Sequence, residues 1–120
     1  MLFDLKVANT WTLLDAGDSD KKDTAVNRPQ ARSFHTMASL NHKLYVFGGC
    51  SVDHGRLSDL YEFDLLTSKW TKINDGEGIV QRGGSSLCAL NGGAESDESV
   101  KGCLILTGGF CGHELDECHR

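Results

Sequence analysis

Two arginines carry the first chemical possibility in this chain. Arg32 precedes Ser33-Phe34-His35 and Arg82 precedes Gly83-Gly84-Ser85, so each opens a stretch that reads as a short strand. Two guanidinium forks converging on one opening could hold a sulfate, phosphate or carboxylate in bidentate fashion. The same side chains could equally brace loops, by donating to backbone carbonyls or to acidic residues of a neighbouring element. His35 lies on the Arg32 stretch and could reach the same opening as a ligand; a histidine so placed also serves as a structural hydrogen-bonding partner.

A second constellation lies near the C-terminal end, where Cys111 precedes His113-Glu114-Leu115-Asp116-Glu117-Cys118-His119. Cys111, His113, Cys118 and His119 are donors of the kind zinc takes, yet the pattern argues against a metal. Position 117 is glutamate, so the order is not His-Glu-x-x-His. Alternation along a strand puts Cys118 and His119 on opposite faces, and no tight knuckle presents paired ligands. No metal is assigned to them. Asp59 and Asp64 bracket another strand and suit turn capping and bonding to backbone amides. Gly76-Glu77-Gly78 lacks the third glycine and the Lys-Ser/Thr of a phosphate loop. No residues are assigned to catalysis.

The elements that must hold these residues come from a near-repeat. Leu44-Tyr45-Val46-Phe47-Gly48-Gly49 is followed by Asp59-Leu60-Tyr61-Glu62-Phe63-Asp64 and then by Trp70-Thr71-Lys72-Ile73. Leu2-Phe3-Asp4-Leu5 and Trp11-Thr12-Leu13-Leu14 echo its second half, and Leu104-Ile105-Leu106-Thr107-Gly108-Gly109 echoes its first. Phe3 to Phe63 and Gly48 to Gly108 both span 60 positions. A period of this length that reads as four short strands points to blades of a β-propeller.

The expected fold is therefore all-β, an incomplete propeller of about two blades of four-stranded antiparallel sheet. Residues 1–15 supply the outer strands of a first blade, 28–75 a complete blade and 80–120 a partial third. In the complete blade the expected strands are Ser33 to Leu40, Lys43 to Phe47, Leu60 to Phe63 and Trp70 to Ile73. Gly48-Gly49 ends the second of them, and Cys50 to Ser58 is a loop. The third blade runs from Gly84 to Leu90, turns at Asn91-Gly92 through an acidic insert (93–101), and continues over Gly102 to Thr107 and Leu115 to His119. Residues 15–27 read as a polar surface loop closed by Arg28-Pro29. Blades left without strands or neighbours should seek the missing propeller blades or another chain.

Composition narrows the function classes. The chain has 120 residues, 14 glycines, one proline and a net charge of −5. That charge argues against a nucleic-acid partner, which draws on clustered Lys and Arg. No apolar run is long enough to cross a bilayer as a helix. Five cysteines at irregular spacing, without a secretory leader, suggest reduced thiols and a cytoplasmic setting.

Arg-Ser-Phe-His, Leu-Tyr-Val-Phe-Gly-Gly, Asp-Leu-Tyr-x-Phe-Asp and the tryptophan together resemble the kelch repeat over nearly the whole chain. Within that family, four segments are similar to the plant specifier proteins: the nitrile-specifier, epithiospecifier and thiocyanate-forming proteins. They are Ala31-Arg32-Ser33-Phe34-His35-x-Met37, Arg56-Leu57, Gln81-Arg82-Gly83-Gly84, and the run from Gly109 through Phe110-Cys111-Gly112 to His119. The kelch resemblance implies a binding module for a protein partner or a small anionic ligand, with the loops Cys50 to Ser58, Asn74 to Gln81 and Cys111 to Glu114 forming part of the binding face. The specifier resemblance implies a fragment of a protein that directs glucosinolate aglycones to nitriles, epithionitriles or thiocyanates with ferrous iron, Fe(II). Arg32 and Arg82 resemble the arginines proposed to hold the anionic sulfate there. The family's iron motif, Glu-x-x-x-Asp-x-x-x-His, does not occur in this chain, and no cofactor is assigned to it.

Overall fold

Runs of apolar and β-branched residues separated by asparagine, aspartate and glycine give this chain strands joined by tight turns. The structure, a computed structural model, describes residues 2–3, 11–14, 27–91 and 102–120. In chain order the strands are β1 (Leu2–Phe3), β2 (Trp11–Thr12), β3 (Thr36–Leu40), β4 (Lys43–Ser51), β5 (Gly55–Asp64), β6 (Lys69–Asn74), β7 (Ser86–Leu90), β8 (Cys103–Thr107) and β9 (Cys118–His119). Among the described residues there is no helix. Neighbours pair antiparallel in three sheets, β1-β2, β3-β4-β5-β6 and β7-β8-β9. The all-β propeller architecture is thus present, with the expected order of strands in each blade.

The central blade is built from local signals. Leu40 pairs with Lys43 across a two-residue turn in which Asn41 takes φ 56°, a conformation asparagine tolerates better than most residues. The β5–β6 turn is capped by Asp64, whose carboxylate accepts bonds from the amides of Leu66 (2.8 Å) and Thr67 (3.1 Å). Those two amides, the Leu66 one foremost, hold the Asp64 carboxyl below its usual pKa. Opposed pairs Val46 with Tyr61 and Leu44 with Phe63 set the register, and Val46, Phe47, Tyr61 and Phe63 are the buried core. Each such side chain contributes about 1.5–3 kcal/mol on burial. Trp70 covers this core from β6, its ring 4.9 Å from that of Phe63 and edge-on to Tyr61 at 6.5 Å.

The structure differs from the sequence reading at the glycine pair and around it. Gly48-Gly49 does not end β4. The two glycines sit at φ 60° and 96° and form a bulge, after which the ladder resumes with Gly49 opposite Leu57, Cys50 opposite Arg56 and Ser51 opposite Gly55. The expected loop from Cys50 to Ser58 is therefore mostly hairpin, closed by a turn over residues 52–54. The inner strand is correspondingly shorter than Ser33 to Leu40. Phe34 at φ 56° breaks it, leaving Ser33 as an isolated bridge to Cys50 before Thr36 begins β3. In the third blade the corresponding Gly108-Gly109 does end β8. Most of the polar loop (15–26), the Asn9-Thr10 turn and the acidic insert lie outside the described residues.

The two larger sheets pack with their inner strands β3 and β7 side by side. Backbone bonds stitch the seam: Gly49 N–H donates to Arg82 O (2.9 Å), Arg82 N–H to Leu57 O (3.0 Å) and Gly84 N–H to Phe34 O (2.9 Å). Between the sheets lies a mainly apolar cavity of about 190 Å³, lined among others by Phe47, Leu60, Leu87, Leu106 and His119.

Candidate functional site

Arg32 and Arg82, separated in sequence, occupy equivalent places in the two blades and make equivalent bonds. Arg32 donates from Nε to Gln30 O (3.2 Å) and from Nη1 to Gly48 O (3.0 Å), and holds Asp59 with both Nη groups (2.5 and 3.1 Å). Arg82 donates from Nε to Val80 O (2.9 Å), from Nη1 to Gly108 O (3.0 Å) and from Nη2 to Glu117 (2.6 Å). In both, the fork reaches the carbonyl two residues back, the first glycine of the blade's own glycine pair, and an acid of the third-strand segment, Asp59 within β5 and Glu117 just before β9. Their side chains are 4% and 0% exposed. This is the bonding of the bracing alternative, and every guanidinium nitrogen of both arginines has a partner within the chain.

The two braces are linked. Arg32 grips the carbonyl of Gly48, and the amide of the next residue, Gly49, grips the carbonyl of Arg82. A Cβ on Gly48 would stand 2.8 Å from that Arg82 oxygen, and one on Gly49 would stand 2.6 Å from Ser33 O. Only glycine fits here, both for the positive φ and for the close approach. The Arg32 brace therefore positions the glycine pair that seats the next blade.

His35 is exposed and follows Phe34 beside the same glycine pair. It is brought near Arg32 and Arg82 through the backbone, not into their side-chain network. Asp59 has another role than the turn capping expected of it: it is the carboxylate partner of Arg32. Glu117 is the corresponding partner of Arg82, and it also lies 3.0 Å from His119 Nε2. The Arg82 guanidinium first, and His119 second, hold the Glu117 carboxyl below its ordinary pKa. Sequence reasoning assigned neither acid to its arginine, although each stands two residues before the position that pairs with Val46 or Leu106 on the second strand.

Cys111 lies 3.7 Å from the His113 ring, while Cys118 is exposed and His119 lines the inter-blade cavity. Among the described residues no three His, Cys, Asp or Glu side chains stand together as metal donors. No chemistry is therefore routed through a metal ion at these residues.

The face bearing the glycine pairs carries a different set of side chains. Phe34 is 73% exposed and Phe110 44%. Both abut Gly83, which exchanges two backbone bonds with Phe110 (3.1 and 2.9 Å) and would put a Cβ 3.3 Å from that of Phe34. Arg56, on β5, lies over the Phe110 ring at 5.2 Å from its centroid. No feature of composition or period had singled out Phe34 or Phe110, since an aromatic residue in a strand reads as core.

The sequence profile of the KLHDC2/KLHL20/DRC7 kelch-repeat domain matches residues 1–120. A Rab9 effector protein with kelch motifs from Xenopus laevis is 31% identical over 109 residues, covering 86% of this chain and 30% of that protein. The negative regulator of sporulation PMD1 of Saccharomyces cerevisiae is 26% identical over 113 residues, covering 87% of this chain and 6% of the regulator. The N-(sulfonatooxy)prop-2-enimidothioate sulfolyase of Thlaspi arvense is 31% identical over 70 residues, 53% of this chain and 20% of that protein. The chain spans less than a third of the length of each of these relatives.

Proposed function

The chain belongs to the family of the KLHDC2/KLHL20/DRC7 kelch-repeat domain, and from that premise we propose that it is a protein-binding module whose recognition surface is the face bearing the glycine pairs. One observation carries the proposal. Phe34 is held at φ 56° with its ring 73% exposed. A bulky residue in the left-handed region costs free energy and exposes apolar area to water, a combination that clusters at binding sites. Relatives named as a Rab9 effector and as a regulator of sporulation support a protein partner over a metabolite. With Arg32 and Arg82 engaged inside the chain, their part in recognition is to fix the backbone beneath that face.

Selection of displayed peptides on the full chain tests this reading. Selected peptides should lose affinity at least tenfold on Phe34→Ala and keep it on Leu66→Ser, at the exposed turn between β5 and β6. Peptides that bind both variants alike would overturn it.

The plant sulfolyase relative supports a second reading, in which the chain is a piece of a specifier-like protein acting on glucosinolate aglycones with ferrous iron. The native transcript read through position 120 tests it: further blades carrying Glu-x-x-x-Asp-x-x-x-His would support it, and further blades without that motif would count against it.

A further inference from the structure

Arg56 differs from the two brace arginines in what its fork touches. Its guanidinium lies over the Phe110 ring of the neighbouring blade, and among the described residues it makes no hydrogen bond or ion pair. Stacking on an aromatic face restricts the guanidinium plane and leaves its N–H edge free for oxygen acceptors. Arg56 is also well placed. Its strand position is opposite Cys50, and the Cys50 sulfur would lie 3.3 Å from a Cβ on Gly83, as would the Phe34 Cβ. Phe34, Cys50, Arg56 and Phe110 therefore gather round one glycine that has no side chain to keep them apart.

We propose that Arg56 is the anchor of this face for a partner peptide that presents an aspartate or glutamate next to an apolar side chain. The inference rests on the protein-binding reading above. The carboxylate takes the two N–H groups of the guanidinium edge, a charge-assisted and geometrically specific contact. The apolar neighbour packs on Phe34, whose exposed ring supplies a hydrophobic anchor beside the charged one. Of the nearby acids, Glu114 bridges Phe110 through its backbone and makes no ion pair with Arg56 among the described residues. Asp59 is engaged by Arg32, and Arg32 faces Tyr61 at 5.4 Å rather than this edge. Asp53 and His54 lie at the exposed hairpin tip. The chain as a whole is at −5, so an acidic peptide is not drawn in from afar and must be held by short-range contact.

The test uses a randomised seven-residue peptide library displayed on phage and selected on the full chain. Recovered peptides should be enriched in Asp or Glu beside an apolar residue. As synthetic peptides they should lose affinity at least tenfold on Arg56→Ala, and on replacement of that Asp or Glu by Asn or Gln. Arg56→Lys should restore only part of the loss, because a point charge does not reproduce the fork. Circular dichroism should show the parent's folded spectrum and a cooperative melt lowered only slightly by loss of the Phe110 contact, since the Arg56 side chain makes no hydrogen bond or ion pair among the described residues. Selected peptides without acidic enrichment, or acidic peptides that bind Arg56→Ala unchanged, would overturn the proposal. So would displacement of the peptide by millimolar inorganic sulfate, which marks a small-anion site. If affinity falls on Phe34→Ala but not on Arg56→Ala, the binding face stands and the anchor falls. If no peptide binds at all, both fall.

Discussion

The braces of the central and third blades use the same arginine geometry on different backing. In the central blade Arg32 meets Asp59 through both Nη groups, with Asp59 15% exposed, and lies over the Tyr61 ring at 5.4 Å. In the third blade Arg82 meets Glu117 through one nitrogen, Glu117 is 41% exposed, and His119 takes the place that Tyr61 holds. The first acid is short, half-buried and two-pronged; the second is longer, wetter and shared with an imidazole. A structural ion pair is worth most where neither partner can turn to water, so equivalent contacts should differ in strength.

Asp59→Ala breaks that comparison most directly. It leaves the Arg32 charge buried without its carboxylate, which should cost about 3–5 kcal/mol in urea denaturation followed by tryptophan fluorescence. Glu117→Ala should cost clearly less, because water can enter where an exposed carboxylate stood. Equal losses would mean that solvent access does not distinguish the two braces.

The glycine pairs give the next largest contrast. Gly49→Ala must hold φ near 96° and place its Cβ 2.6 Å from Ser33 O, against backbone that cannot move aside. The strained conformation alone costs about 1–2 kcal/mol, and the clash adds to it. Gly109→Ala meets nothing nearer than 3.2 Å, so its neighbours need give only a few tenths of an ångström and its loss should be the smaller of the two. Thermal melts of the two variants rank them.

Much of this fold was legible in the sequence, and the reasons are local. Tight turns announce themselves through residues with special conformations, as Asn41 and Asp64 do, and strands through their apolar runs. Phe34, by contrast, reads as strand and is in fact a positive-φ break, because backbone strain leaves no trace in an aromatic residue's type. The glycine pair was visible, but its consequence was not: the same dipeptide bulges in β4 and terminates β8, because β5 starts early enough, at Gly55, to continue the ladder past the glycines, whereas β9 starts only at Cys118. For the site, Arg32 and Arg82 were found as a pair, and the choice between holding an anion and bracing the chain stayed open. It turned on Asp59 and Glu117, which come close only once β4, β5, β8 and β9 are paired.

Acid should weaken the third-blade brace. The Glu117 carboxyl, held down first by Arg82 and then by His119, titrates in the folded state below its unfolded value of 4.5. Its stabilisation is therefore complete above that value and is lost as pH falls through the lowered folded pKa. Glu117→Gln lacks this dependence. The difference in melting temperature between parent and variant should be constant near neutrality and shrink in acid. A difference that stays constant into acid would place the titration elsewhere.

The smallest expected effect is also the closest test of the comparison. His119→Tyr gives the third blade the ring that the central blade sets beneath Arg32. The new ring would lie beside the inter-blade cavity of about 190 Å³, so it need not displace packed neighbours. It offers Arg82 the aromatic face that Arg32 has over Tyr61, a gain of about 0.5–1 kcal/mol at a partly exposed position. It also removes the imidazole from Glu117, so the carboxyl should titrate closer to its ordinary value by the share that His119 supplied. The variant should melt slightly higher than the parent at neutral pH, and its Glu117 side-chain resonance should titrate at higher pH. A lower melting temperature at neutral pH would mean that the shared carboxylate, and not the ring beneath the arginine, is what the third blade relies on.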